Sequence, residues 1–190
     1  MKTVITTFNI EKYRALAFVA GLLVLAIVLK FFEIPYPPAP FLKYDVSGVP
    51  LAIVAYYSLK YAFSALPIYY ILPVLFGSDV VGMAMKCLAE TSTFTPLILV
   101  YKKGPRSNEC RIGLAIGLAI ISRIFFMSLA NYLVTPYWLM WSYKMPFEKA
   151  YTLTLAYMPH IVLFNLTITL IIAPLSLTCI TILKRAGYLK

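Results

Sequence analysis

The chain has 190 residues, of which 62% are hydrophobic and only 13% charged, with a formal net charge of +10 and a mean hydropathy of +0.84. A soluble domain of this size carries about twice that charged fraction, and the apolar residues arrive in long runs between short polar breaks, so the composition excludes an ordinary soluble domain and indicates an integral membrane protein. The basic residues form no block or stripe but sit at the ends of the apolar runs, which argues against nucleic-acid binding.

Lys2, Lys12 and Arg14 precede an apolar stretch too long for the core of a cleavable leader, so the N-terminal run reads as a first membrane span over about 14–32. Lys30 lies close enough to its end to snorkel outward. Pro35, Pro37, Pro38 and Pro40 then stop the helix and favour extended polyproline geometry in a loop from Glu33 to Pro50, on the outer side of the membrane. The next apolar stretch is too long for one helix and short for two full spans, so it reads as two short helices, about 49–59 and 61–76, with a break near Lys60. Further spans follow over about 79–101, 111–136 and 155–183, and Tyr137, Trp138, Trp141 and Tyr143 fall in the last connecting loop as an interfacial aromatic belt. The expected architecture is all-α: one transmembrane domain over 1–190, a six-helix bundle with a proline-rich extracellular loop between helices 1 and 2.

This arrangement separates the charges. Lys2, Lys12, Arg14, Lys60, Lys102, Lys103, Arg106, Arg111, Lys184, Arg185 and Lys190 fall on one side, against Lys30, Lys43, Lys144 and Lys149 on the other. The richer side is the cytoplasmic one by the positive-inside rule, so both termini are expected inside the cell membrane.

Several residues are expensive in a span and are expected to face the protein interior. Arg123, near the middle of the fifth span, would cost about 2.5–3.5 kcal/mol alone in lipid. It shares one helix face with Met127 and Asn131, spaced four apart. Asn165 lies in the sixth span. Two inward-facing amides offer donors and acceptors suited to the edge of a planar polar heterocycle, and can equally bond helix to helix. Lys86 and Glu90, also four apart, read as a structural ion pair that neutralises itself. His160 has no partner at ligand spacing and reads as interfacial, with no metal site. Cys87, Cys110 and Cys179 form no paired motif and read as small buried apolar residues. There is no nucleophile elbow, zinc-protease motif or phosphate loop, so no catalytic residue is assigned and any ATP-driven step belongs to a partner.

Three segments, in order, then carry a resemblance. The run from Pro40 through Leu42, Lys43, Tyr44 and Asp45 to Pro50 is followed by Arg123, Met127, Asn131, Tyr132 and Pro136, and then by Phe164-Asn165. In these the chain resembles the substrate-binding (S) subunits of energy-coupling-factor (ECF) vitamin transporters, most closely the riboflavin-specific ones. The resemblance implies a subunit that captures a vitamin from outside and docks on a membrane scaffold protein driven by two ATPases. It implies ligand contacts from Asn131 and Asn165, a first loop (Leu42, Lys43, Tyr44, Asp45) lying over the ligand, and small residues of the first span packing on the scaffold. Ala17 and Gly21, four apart and followed by Ala26, would form that close-approach face. Riboflavin is the implied ligand and no cofactor is required. The chain departs from the riboflavin-specific pattern at Ile168, where those relatives carry a lysine, and at Gly48, where an acidic residue is common. Three other readings stand beside it: a different vitamin for the same kind of subunit, a membrane-embedded lipid-modifying enzyme, and a structural membrane protein.

Overall fold

A computed structural model describes the backbone of residues 2–105 and 107–189, with side chains from residue 13 onward in those ranges. Lys2, Lys12, Arg106 and Lys190, which contribute to the charge count above, have side chains outside the described residues. Six helices follow one another: α1 (Lys2–Phe31), α2 (Gly48–Tyr57), α3 (Leu59–Leu75), α4 (Val80–Lys103), α5 (Asn108–Tyr143) and α6 (Phe147–Arg185). By length and composition three of them can cross a membrane: α1 over Tyr13–Phe31, α5 and α6. Their apolar side chains point largely outward, as with Val24 on α1, Ile121, Phe125 and Leu133 on α5, and Leu170 and Ile171 on α6. An apolar exterior around polar interior positions is the pattern of a lipid-facing bundle.

α2 is the exception, with Gly48 through Tyr56 all buried. It packs against α1, α3, α4 and α6, so this ten-residue helix acts as a core element shielded from lipid, in keeping with its length and all-round apolarity. The break after it falls at Ser58, which is extended at φ −158° and ψ 124°, two residues before the expected Lys60. α5 packs chiefly against α4 and α6.

Several expectations fail here. α1 begins at Lys2 and α6 at Phe147, well before the expected 14 and 155, because a helix can run on past the apolar residues that mark a span. The expected fifth span ends at Pro136, whereas α5 runs on to Tyr143 with Pro136 inside it. Tyr137, Trp138, Trp141 and Tyr143 therefore lie on a helix and not in a loop, and α5 ends only where Lys144 takes a left-handed backbone at φ 54°. Prolines also sit inside α3, α4 and α6, because packed neighbours stabilise a helix that has lost one internal hydrogen bond. The proline-rich segment is likewise not an extended polyproline stretch. Strands β1 (Ile34–Pro35) and β2 (Lys43–Tyr44) pair antiparallel, Ile34 opposite Tyr44. The chain turns between them through bonds from Ala39 N to Tyr36 O (3.0 Å) and Leu42 N to Ala39 O (2.9 Å). The prolines supply fixed φ angles for those turns.

Candidate functional site

Residues from the β1–β2 loop, from α4, α5 and α6, and from the ends of α1 and α3 line a cavity of about 700 Å³. That volume lies in the range of small-molecule sites. Its wall is assembled by helical phase. Arg123, Met127, Asn131, Val134, Thr135 and Trp138 all line it, one continuous face of α5 at three- and four-residue spacing. Met83 and Lys86 of α4 and Phe164 and Asn165 of α6 complete the sides, and Phe41, Leu42, Lys43 and Asp45 cover it from the loop.

Both amides are buried on this wall, and each is already oriented. Asn131 Nδ2 donates to Met127 O at 2.8 Å and Asn131 Oδ1 accepts from Thr135 Oγ1 at 3.0 Å, all within α5. Asn165 Nδ2 donates to Ile161 O at 2.8 Å, while its Oδ1 accepts from Arg123 Nε at 3.1 Å and so joins α6 to α5. Each amide nitrogen carries a second hydrogen that these bonds do not use. Helix-to-helix bonding thus describes part of the role of Asn165 and none of the described bonds of Asn131.

Along the wall runs a chain of charges. Lys86 pairs with Asp45, and lies 3.9 Å from Glu90; Glu90 lies 3.6 Å from Arg123, which also donates to Thr93 Oγ1 at 2.9 Å. The expected Lys86–Glu90 ion pair is thus present, at 3.9 Å, but as one link of a longer network, since Lys86 lies closer to the loop carboxylate of Asp45 and Glu90 also faces Arg123. Two anions and two cations balance, which is what buried ions require. Glu90 Oε1 makes no hydrogen bond and is held by charge alone. The chain continues from Asp45 through Ser47, whose backbone N–H donates to Asp45 Oδ1 at 2.8 Å, to the Tyr69 hydroxyl, 2.6 Å from Ser47 Oγ. A Cβ at Gly48 would overlap the Glu90 carboxylate, which would have to shift, and lie 3.2 Å from Ile172 Cδ1.

No protein-family model matches the chain, and no curated protein matches it. A solved structure does: the S component of a bacterial ECF transporter, with a TM-score of 0.75 over 92% of this chain and 97% of that one, at 24% sequence identity. The chain has the S-component fold.

Within that fold the expected site residues divide. Asn131, Asn165, Leu42, Lys43 and Asp45 all line the cavity, and so do Arg123 and Lys86. Tyr44 is not among the lining residues. Alternation along the short strand sends Lys43 and Asp45 to the cavity and Tyr44 to the other face, where it packs on Phe164 at 4.7 Å between centroids and its hydroxyl lies 2.6 Å from Thr167 Oγ1. Ala17 and Gly21 lie on the exposed face of α1, and a Cβ at Gly21 would meet nothing within 4 Å. Ala26 leaves that face and is fully buried in the core, since five residues advance a helix well past one turn. Ile168 is also core and is not among the lining residues. His160 packs on Tyr36 in the loop, 6.2 Å between centroids. The cysteines are all free, but Cys110 is exposed and Cys87 and Cys179 are only half-buried, which overturns the buried assignment. No group able to hold a metal occurs among the described residues.

Several lining positions escaped the sequence reading. Trp138 lines the cavity, and its indole Nε1 is buried without a hydrogen-bond partner; the Arg123–Met127–Asn131 phase reaches it seven residues on, past a proline that ordinarily ends a helix. Lys30 lines the cavity and is buried, donating to Ser78 Oγ at 2.5 Å. Asp79 also lines it, as the N-cap of α4 accepting from Gly82 N at 2.5 Å, a helix-start signal visible in the sequence.

Proposed function

We propose that the chain is the vitamin-binding subunit of an ECF-type transporter and that its ligand is riboflavin or a closely related flavin. The observation that carries the reading is a cavity lined by both Asn131 of α5 and Asn165 of α6, in a chain with the S-component fold. A planar heterocycle with polar edges fits such a space. The second N–H of each amide supplies edge donors, the Trp138 indole supplies another, and Met83, Met127, Phe41 and Phe164 supply apolar contact with the ring faces.

In this reading the subunit sits in the cell membrane as a six-helix bundle with both termini inside, and the β1–β2 loop faces outward over the ligand. Entry requires the loop to lift, which separates Asp45 from Lys86. Release follows docking of the exposed α1 face, Ala17 and Gly21, on a membrane scaffold driven by two ATPases; the chain itself needs no catalytic residue or cofactor. The deciding experiment is mass spectrometry of small molecules released from the purified, detergent-solubilised protein. A flavin is expected, and its emission is quenched on rebinding by the aromatic residues of the site. A colourless protein that does not quench added riboflavin overturns the flavin assignment.

One observation favours the second reading, a different heterocyclic vitamin in the same kind of subunit. The position that is lysine in riboflavin-specific relatives is Ile168 here, and it is packed into the core. Release of a non-flavin vitamin in the same measurement would select that alternative.

A further inference from the structure

At the end of the bundle away from the cavity, α2, α4, α5 and α6 bring two tyrosine rings together. Tyr56 near the end of α2 and Tyr101 in the last turn of α4 lie 6.0 Å apart between centroids. Cations from three helices rest on these rings. Lys102 Nζ is 4.6 Å from the Tyr56 centroid, Lys184 Nζ is 5.6 Å from the same ring, and the Arg111 guanidinium lies 5.3 Å over Tyr101.

Among the described residues no carboxylate forms an ion pair with any of the three. Glu109, the acid closest in sequence, is exposed in the first turn of α5. Arg111 spends one terminal nitrogen on Asn108 Oδ1 at 2.6 Å, while its Nε is buried without a hydrogen-bond partner. The positive-inside rule accounts for basic residues at this end of the bundle. It does not account for two ammonium groups converging on one ring with a guanidinium on the next, an arrangement whose mutual repulsion calls for an anion.

We propose that this cluster binds the phosphate headgroup of an anionic membrane lipid. Lys102, Lys184 and Arg111 would hold the phosphate oxygens, the last through a bidentate fork, over a floor of tyrosine rings at headgroup depth. A lipid is favoured over free phosphate by what lies below the charges. Leu114 and Leu118, three and seven residues after Arg111, are exposed on the same face of α5, so an acyl chain can run down the helix from the headgroup. The inference is independent of what fills the cavity.

The test uses the full-length protein, delipidated in detergent and titrated with phosphatidylglycerol or phosphatidylcholine of matched chains under native mass spectrometry. At about 150 mM salt, where diffuse surface charge is largely screened, wild type is expected to bind phosphatidylglycerol at least about tenfold more tightly than phosphatidylcholine. K102Q/K184Q is expected to lose at least about tenfold in phosphatidylglycerol affinity, while K103Q/R185Q, with the same loss of charge just outside the cluster, loses less than about threefold. Inorganic phosphate at millimolar concentration is expected not to displace the lipid. Equal losses in the two variants would reduce the cluster to diffuse charge, and full displacement by phosphate would make it a free-anion site. Unchanged lipid binding combined with weaker scaffold association would assign the surface to a protein partner; each of these overturns the proposal. Should K102Q/K184Q fail to fold, the wild-type preference between the two lipids decides alone.

Discussion

Asn131 and Asn165 differ in what else they hold, and that difference predicts different mutants. The described bonds of Asn131 lie within α5, so Asn131→Ala is expected to fold normally and weaken ligand binding by at least about 1 kcal/mol, roughly fivefold in Kd. Asn165 also accepts from the buried Arg123, so Asn165→Ala is expected to lower both affinity and melting temperature. Calorimetry with riboflavin, together with thermal unfolding, separates the two; unchanged affinity in both would remove the amides from the site. Gly48 offers a test of the charge chain from the other side. Gly48→Ala drives a Cβ into the Glu90 carboxylate, and with a buried anion unable to yield freely the expected cost is about 1–3 kcal/mol of stability. A melting temperature equal to wild type would mean that the carboxylate has room to move.

The β1–β2 segment is held over the cavity by a few polar ties. Asp45 pairs with Lys86, Lys43 with Glu33, and Tyr44 meets Thr167; of these, the Asp45–Lys86 pair is the most thoroughly buried, with the Asp45 side chain 1% exposed. Asp45→Asn retains the shape but strands the lysine, which for a buried pair costs about 3–5 kcal/mol. Part of that cost is expected to return in Asp45→Asn/Lys86→Met, because two neutral side chains leave no uncompensated ion. If the segment must lift for ligand exchange, Asp45→Asn also accelerates riboflavin dissociation in stopped-flow fluorescence. A wild-type off-rate in a folded Asp45→Asn variant would exclude the pair as the tie that holds the loop closed.

For the whole molecule, the lipid-facing exterior and the polar interior separate two kinds of failure. Ala17 and Gly21 lie outside the packed core of α1 and are not among the lining residues. Ala17→Leu/Gly21→Leu is therefore expected to leave riboflavin affinity and melting temperature within error of wild type. It is expected to abolish uptake in cells and co-purification with the scaffold, since bulky side chains prevent close helix approach. Loss of ligand affinity in this variant would place the α1 face in the folding of the subunit and not in its docking.

The hydrophobic runs, the polar residues embedded in them and their four-residue spacing were enough to determine the helical class, the order of six helices and the inward face of α5. These follow from local rules: the reach of a helix across hydrocarbon, the cost of an ion there, and the 3.6-residue period. Only the tertiary structure decided that α5 passes through Pro136 and carries Trp138 to the cavity, that α2 is wrapped by its neighbours, and that Lys86 turns to Asp45 in preference to Glu90. Each depends on residues far apart in the chain. A proline inside a helix survives when packed neighbours stabilise the turn it weakens, and a buried ion chooses its partner by which opposite charge the fold brings nearest.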